Sequence, residues 1–590
     1  MSTNSKKKPD RQLLLSAFDM HCVVHQNPGM WLYPGDRTHD YKDISYWIEM
    51  AQVLEQGGFD ALFIADVLGF YDVYGGNRDA ALRTAAQTPV GDPLVTIPAM
   101  AAATERISFG ATVSLTYELP YKFAKTMTTL DHLTKGRVAW NIVTSYQQSA
   151  AVNLGLTSQI PHDERYDMAD EFMEVCYKLW EGSWEEDAVV QDHESGVYTD
   201  PSKVHDINHA GKHYTVPGAH LCEPSPQRTP FLFQAGASAR GRQFASTHAE
   251  AVFLIGTNPQ DMRSQVDQYR MVAAEQGRDP RSLKIIVMLT PIVAETDEEA
   301  QHKLATIQER AQVDAALALW GGWTGIDLAG ADPDKPLDQF RGDGIRAFSD
   351  MLTRVDSELV WTPRRLAEWL CVGGMSASVV GSPKTVVDQM EEWVEVADLD
   401  GFNIARVTNF GTFEDFRDLI TPELRRRGLI PEAPEAGVTL RERVLGQPRL
   451  RDDHPGTAFK VGVETTPRQR FAMPTTIKAA PRNVGLLVRL EARPETKEEL
   501  EAWLLDMQRH AVDEPGTQSW YAFRIDELNF GIYDTFGHED GRQDHIHGEI
   551  VKSLRSLQQG MLAAPPTIRQ IDLLAVKPAP ARADVPVAVA

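Results

Sequence analysis

Several features that would place this chain in other classes of protein are missing from its sequence. It has only four cysteines in 590 residues, with no CxxC pair and no regular spacing, so we expect reduced thiols in a cytoplasmic protein. No apolar run approaches the roughly 20 residues that a membrane span needs. The net charge of −24 disfavours nucleic acid and anionic membranes as partners, because both attract basic patches.

The glycine-rich signatures of nucleotide binding are also missing. No GxGxxG follows a predicted strand, and no GxxxxGK[ST] occurs, so neither a Rossmann domain nor a P-loop is supported. The length of the chain is too great for one compact core and predicts at least two domains.

Residues 11–430 alternate short apolar runs with amphipathic helical patterns. Near-continuous apolar runs are typical of parallel strands that helices cover on both faces. Eight such units favour an α/β fold, a (β/α)₈ TIM barrel with insertions at 68–91, 183–229 and 313–372, with an open doubly wound sheet as the alternative. The predicted strands are Leu13–Met20, Phe59–Val67, Ile107–Leu115, Arg137–Ser145, Pro230–Gly236, Glu250–Gly256, Leu283–Val293 and Gly401–Val407.

The composition changes after residue 430. Residues 431–482 carry seven prolines and no sustained periodicity, which is typical of a linker or a wrapping tail. Residues 483–576 then follow the order β-α-β-β-α-β, which predicts a C-terminal ferredoxin-like α+β domain. Residues 577–590, rich in proline, alanine and valine, are predicted to be a disordered tail.

Polar residues stand at the carboxyl ends of the predicted barrel strands, where (β/α)₈ barrels place their active sites. Singly, each is better explained as a helix cap or a turn residue; together they predict a polar pocket able to hold a phosphorylated ligand. The turn Gly236-Ala237-Ser238 opens a helix, whose free N–H groups and dipole attract phosphate, and Arg240 and Arg242 add positive charge there. This signal is weak alone, because every such loop opens a helix. The strand-end residues are Asp66, Thr112, Ser114, Asn141, Thr144 and Ser145.

Four stretches of residues 11–450 resemble one family both in their amino-acid sequences and in their order along the chain. They are FIADVLGFYDVYGG (63–76), TTLDHLTKGRVAWNIVTS (128–145), HDERYDMADEF (162–172) and EPSPQRTPFLFQAGAS (223–238). They are similar to luciferase-like flavin-dependent monooxygenases, in the subgroup of nitrilotriacetate and EDTA monooxygenases, pristinamycin IIA synthase and dibenzothiophene-sulfone monooxygenase. The resemblance leaves the substrate open.

The resemblance implies a two-component monooxygenase. Reduced FMN would be a co-substrate supplied by a separate NAD(P)H:FMN reductase, and with O₂ it would form a flavin hydroperoxide that inserts one oxygen atom into a small organic substrate. Loops 68–91 and 313–372 would exclude water. His25, in the segment after the first strand, is the candidate acid or base, and a loop histidine without a chemical role is an equal alternative. A deazaflavin-dependent oxidoreductase of the same fold and a non-catalytic flavin-binding module remain alternatives. The expected cofactor-binding residues are Asp66, Thr112, Asn141, His162, Tyr166, Ala237 and Ser238.

The remaining histidines predict no metal site. One group is loosely spaced and fits a hairpin insertion better than a set of ligands: His205, His209, His213 and His220. Residues 530–548 resemble the antibiotic-biosynthesis-monooxygenase type of dimeric α+β domain, which implies a homodimer or a higher homo-oligomer. In that domain we expect surface positions for His538, His545 and His547.

Overall fold

The computed structural model describes residues 12–337, 359–432, 435–461, 484–512, 517–536 and 560–572, with 542, 545, 546, 553 and 554. The chain divides into two compact units, Met1–Arg470 and Phe471–Ala590. The predicted disordered tail 577–590 lies outside the described residues.

Eight parallel strands close into a barrel, which confirms the predicted fold and excludes the open doubly wound sheet. Each strand pairs with the next, and the last pairs with the first. The segment Ala377–Gly381 adds a short strand along the second half of the seventh. The barrel strands are β1 Leu14–Met20, β2 Ala61–Ala65, β3 Ser108–Ser114, β4 Val138–Val143, β5 Phe231–Gln234, β6 Ala251–Leu254, β7 Lys284–Val293 and β8 Gly401–Ala405.

Stacked phenylalanine rings fill the barrel interior. Phe63 lies 4.8 Å from Phe18 and 4.4 Å from Phe253, and Phe253 lies 4.7 Å from Phe233, measured between ring centroids. Gly110 leaves room for them, because a Cβ there would stand 3.3 Å from the Phe233 ring. The interior is therefore a packed core, and a ligand has to bind at a rim.

Helices surround the barrel and cover its strands. The predicted capping box is confirmed: Thr296 Oγ1 accepts the Glu299 N–H at 3.2 Å, and the Glu299 carboxylate accepts the Thr296 N–H at 3.1 Å. The longer helices are Ile44–Gln56, Pro93–Ala102, Pro120–Leu133, His162–Gly182, Ala239–His248, Pro259–Glu275, Asp297–Gln308, Val313–Thr324, Pro363–Leu370 and Pro383–Ala397. The shorter ones are Asp79–Thr84, Gln148–Asn153, Gly411–Asp415, Thr421–Arg427 and Leu440–Leu445.

Residues 435–461 pack against the barrel. The helix Leu440–Leu445 places Arg441 in full burial, where its Nε lies 2.6 Å and its Nη2 2.8 Å from the Glu250 carboxylate oxygens. Arg441 also donates to the Thr229 carbonyl at 2.9 Å. Leu440 and neighbouring residues line a small void with Phe231 at the amino-terminal end of the strands. This contact closes the end of the barrel opposite the carboxyl rim.

The C-terminal unit contains an antiparallel four-stranded sheet of strands β9 Val484–Glu491, β10 Thr517–Arg524, β11 Asn529–Phe536 and β12 Thr567–Asp572. Its order is β10-β11-β9-β12, and the helix Lys497–Val512 follows the first strand. This is the strand order of the predicted ferredoxin-like domain. Residues 545–546 and 553–554 are helical, and most of the predicted second helix lies outside the described residues.

The expectation of a surface position is wrong for His545. Its side chain is 2% exposed, and its Nε2 lies 3.0 Å from Asp534 Oδ2. Asp534 alternates with Ile532 and Phe536 on the core face of β11, so a buried carboxylate needs a partner inside the fold. His538 and His547 lie outside the described residues.

Candidate active site

The turn after β5 begins a helix at the carboxyl rim of the barrel. Ser238 is the N-cap of the helix Ala239–His248, and its Oγ accepts the Gly241 N–H at 3.0 Å. The first N–H groups of a helix have no acceptor within the helix, and its dipole makes this end positive. Ala237 and Ser238 are exposed. The turn therefore has the geometry of an anion site.

Two glycines let the hydroxyl of Tyr166 approach this turn. A Cβ on Gly236 would stand 3.0 Å from that hydroxyl, and a Cβ on Gly241 would stand 2.8 Å from it. Either side chain would collide with the tyrosine or displace it. Tyr166 itself is buried, and burial raises the pKa of its hydroxyl. The hydroxyl is therefore a neutral donor beside the start of the helix.

His162 reaches the same turn from the first residue of the helix His162–Gly182. Its Nε2 lies 3.2 Å from Ser238 Oγ, its Nδ1 lies 2.7 Å from Asp163 Oδ1, and its ring is 5.2 Å from the Tyr166 ring. The four-residue spacing puts the histidine and the tyrosine on one helix face. Three of the predicted cofactor-binding residues thus lie together.

The two arginines expected to add charge here are already engaged. Arg240 Nη2 lies 2.5 Å from Asp170 Oδ2 and 3.4 Å from Asp167 Oδ1. Arg242 Nη1 donates to the Ala237 carbonyl at 2.5 Å. The Arg240 charge is compensated by aspartates of a neighbouring helix. The positive character of the turn therefore comes from its backbone and from Arg242, whose partner is a neutral carbonyl.

Thr112 and Asn141 face each other inside the barrel rim on the paired strands β3 and β4. Asn141 Nδ2 donates to Thr112 Oγ1 at 2.9 Å. The amide oxygen of Asn141 is buried and accepts no hydrogen bond from the part of the chain that the structure describes. A buried acceptor without a partner is costly, and a ligand N–H would relieve that cost.

Asp66 follows β2 at the same rim. Burial raises the pKa of its carboxyl to about 7, the nearby Asp92 charge adds to the rise, and a hydrogen bond from the Val67 N–H opposes it. Near neutral pH the carboxyl is therefore present in both protonation states. It can donate a proton to a ligand or accept a hydrogen bond from one.

His25 follows β1 and is almost fully buried, with its ring edge-on to Phe18 at 4.4 Å. Burial holds the pKa of its imidazole well below the usual value, and the positive charge of Arg406 lowers it further. His25 is therefore neutral near pH 7. It starts as a proton acceptor rather than as an acid.

A cleft of about 340 Å³ lies among the loops that follow β2 and β4 and the end of the helix Val313–Thr324. Tyr71 and Tyr146 line it, and their hydroxyl oxygens are 3.1 Å apart. Tyr71 donates to Gln87 Oε1 at 2.9 Å, and Gln87 Nε2 donates to the His25 carbonyl at 2.7 Å. Sequence reasoning missed these three residues, although Tyr71 lies in one of the family-like stretches.

The histidines of the insertion have ordinary structural partners. His209 lies in a short hairpin, with its Nε2 3.2 Å from Glu171 Oε1, and His220 Nε2 lies 2.9 Å from Thr128 Oγ1. Across the described ranges, no group of three or more histidine, cysteine, aspartate or glutamate residues is arranged to hold a metal ion. Within the same ranges, no helix is long and apolar enough to cross a membrane.

The described residues form a closed (β/α)₈ barrel whose carboxyl rim carries a helix-opening turn and a buried Asn141 oxygen without a described partner, an arrangement typical of TIM-barrel enzymes. The chain belongs to the luciferase-like monooxygenase family, whose model matches residues 20–399. It is 48% identical over 476 residues to dimethyl-sulfide monooxygenase of Hyphomicrobium sulfonivorans, covering 80% of this chain and 99% of that enzyme.

Further relatives confirm the predicted subgroup and the fold. Dibenzothiophene-sulfone monooxygenase of Rhodococcus erythropolis is 34% identical, with 75% of this chain and 98% of that enzyme covered. The crystal structure of a riboflavin lyase with modified FMN and riboflavin superimposes with a TM-score of 0.69 at 37% identity, covering 76% of this chain and all of that one. The fusion with an antibiotic-biosynthesis-monooxygenase-type domain stays a prediction.

Proposed function

We propose that this monooxygenase is the oxygenating part of a two-component system that uses reduced FMN and O₂ to insert one oxygen atom into a small organic substrate. The observation that carries the proposal is the meeting of His162, Tyr166 and Ser238 at an anion-binding turn. The riboflavin lyase that superimposes on this chain was solved with a modified FMN, which supports a flavin as the ligand.

The residues present fit FMN at both of its ends. The Ser238 hydroxyl, the backbone from Ala237 onward, His162 and Tyr166 would hold the phosphate. Deeper in the rim, the unpartnered Asn141 oxygen would accept an N–H from the flavin ring, beside Thr112 and Asp66. When bound, reduced FMN supplies the two electrons that place one atom of O₂ on the substrate and convert the other to water.

The residues around the cleft would control water and protons. Tyr71 packs in a buried apolar cluster with residues of the helix Val313–Thr324, which covers the loop 68–91. A cover of this kind excludes water from the reacting groups. His25, neutral and buried, would take up a proton during turnover and return it.

The proposal includes a separate NAD(P)H:FMN reductase, because the sequence carries no dinucleotide-binding glycine signature of its own. The test supplies NADH, FMN, an added reductase and ¹⁸O₂, with dimethyl sulfide and a long-chain alkane as candidate substrates, and detects labelled product by mass spectrometry. The control omits this chain, since free reduced FMN consumes O₂ by itself. Only the complete mixture should give labelled product.

Other outcomes would identify the alternatives. Stoichiometric, tightly held flavin with NADH oxidation in the absence of a reductase would contradict the two-component proposal. Turnover with a reduced deazaflavin and without O₂ would identify a deazaflavin-dependent oxidoreductase. Flavin binding without turnover on any substrate would indicate a binding module.

A further inference from the structure

A series of hydrogen bonds runs from the His25 carbonyl through Gln87 and Tyr71 to Tyr146 in the cleft, and the donor and acceptor of each bond are fixed. The His25 carbonyl only accepts, so the amide nitrogen of Gln87 must point at it, and the amide oxygen then faces Tyr71. Tyr71 therefore gives its single proton to Gln87. Since the Tyr71 oxygen can then only accept, the Tyr146 hydroxyl donates to it across 3.1 Å.

This direction leaves the Tyr146 oxygen as an acceptor. A hydroxyl has one proton and two lone pairs, and the proton of Tyr146 is used on Tyr71. In the described part of the chain no group donates to Tyr146, whose side chain is 50% exposed in the cleft.

The charge of the cleft lining also bears on which ligands can bind. Among the described residues that line it, Asp72 carries the one charged side chain, and it is negative. Arg78 lies over the Phe70 ring, with its guanidinium carbon 4.8 Å from the ring centroid, and is not part of the lining. The walls are otherwise aromatic, small or amide-bearing. Such a surface repels anions and favours apolar molecules.

We propose that the cleft favours an uncharged, largely apolar substrate, that it binds more tightly one that carries a hydroxyl or N–H donor directed at Tyr146, and that it rejects carboxylates. The inference rests on the proposed function and adds to it that this cleft holds the substrate. The proposal distinguishes this chain from a relative in the same subgroup by the charge of the substrate. That relative is a nitrilotriacetate monooxygenase component, 33% identical to this chain, and its named substrate is a polycarboxylate.

The test measures equilibrium binding to the full chain by calorimetry with three matched probes: benzyl alcohol, benzyl methyl ether and benzoate. The alcohol should bind at least about threefold more tightly than the ether, which lacks the donor. Benzoate should bind at least about tenfold more weakly than the alcohol, because it meets Asp72 and no cation. No flavin or O₂ is needed, so failure here and failure of oxygenation are separate results.

Two variants assign these preferences to the residues named. Tyr146→Phe keeps the ring and removes the oxygen, so it should abolish the preference for the alcohol over the ether. Asp72→Asn should raise benzoate affinity about threefold and leave the alcohol unchanged. The matched control Asp79→Asn removes the same charge outside the lining and should change neither.

Three results would overturn the inference. They are equal binding of alcohol and ether by the unaltered chain, benzoate binding as tight as that of the alcohol, and a preference for the alcohol that persists in Tyr146→Phe.

Discussion

Ser238 allows the proposed phosphate site to be tested with a change of one charge. It is the N-cap of the helix Ala239–His248 and accepts the Gly241 N–H at 3.0 Å. Aspartate and asparagine are both good N-cap residues and have nearly the same shape. Ser238→Asp and Ser238→Asn should therefore fold equally well, and they differ only in a negative charge at the turn.

The charge should weaken FMN binding strongly. Two unit charges 4 Å apart interact by about 1 kcal/mol in water and about 4 kcal/mol near a protein surface. Because Ser238 is exposed, the lower half of that range applies. Since about 1.4 kcal/mol is a factor of ten, we expect Ser238→Asp to bind FMN at least about fivefold more weakly than Ser238→Asn.

The assay is anaerobic titration of reduced FMN against both variants, repeated with reduced riboflavin, which has no phosphate. The two variants should differ for FMN and agree for riboflavin. Equal FMN affinity, or the same difference with riboflavin, would show that the phosphate binds elsewhere.

Three further perturbations test the fold and its assembly. Arg441→Met leaves the Glu250 carboxylate buried and unpaired, so urea denaturation should show a loss of about 3–5 kcal/mol, with part recovered in the double variant with Glu250→Gln. Asp66 has a folded-state pKa raised to about 7, so its contribution to stability falls as the pH rises from about 4 through 7. Asp66→Asn should therefore be more stable than the parent at pH about 8 and equal to it near pH 4. The sheet of the C-terminal unit exposes Tyr521 and Phe523, 57% and 40% exposed, so light scattering should show at least a dimer, and lysine at both positions should reduce it to a monomer.

The barrel could be predicted from the sequence because its strands are buried on both faces. The third strand was expected at Ile107–Leu115 and lies at Ser108–Ser114, and the seventh was expected at Leu283–Val293 and lies at Lys284–Val293. A short, near-continuous apolar run between two amphipathic helical patterns is typical of a strand in a covered parallel sheet. Closure followed from the number of such runs, since eight parallel units form a barrel.

The polar site was harder to predict because its contacts join distant parts of the chain. The spacing of His162 and Tyr166 put them on one helix face, but Ser238 follows 76 residues after His162. Their meeting was implied by the family resemblance and not by the pattern. The charge of Arg240 was overestimated for the same reason, because its partners Asp167 and Asp170 belong to another helix.

Two buried acids show how far the pattern of apolar and polar residues along a strand predicts ion pairs. Glu250 directly precedes the apolar strand β6, and Asp534 occupies a core position of β11, so each needs a compensating group inside the fold. The sequence indicates that each acid has a compensating group but does not identify that group, because the partner can be distant in the chain: Arg441 lies 191 residues after Glu250. His545 was expected on the surface because no partner was sought for Asp534, which lies only eleven residues before it. An acid at an inward strand position is thus a reason to expect a buried cation or histidine elsewhere in the same domain.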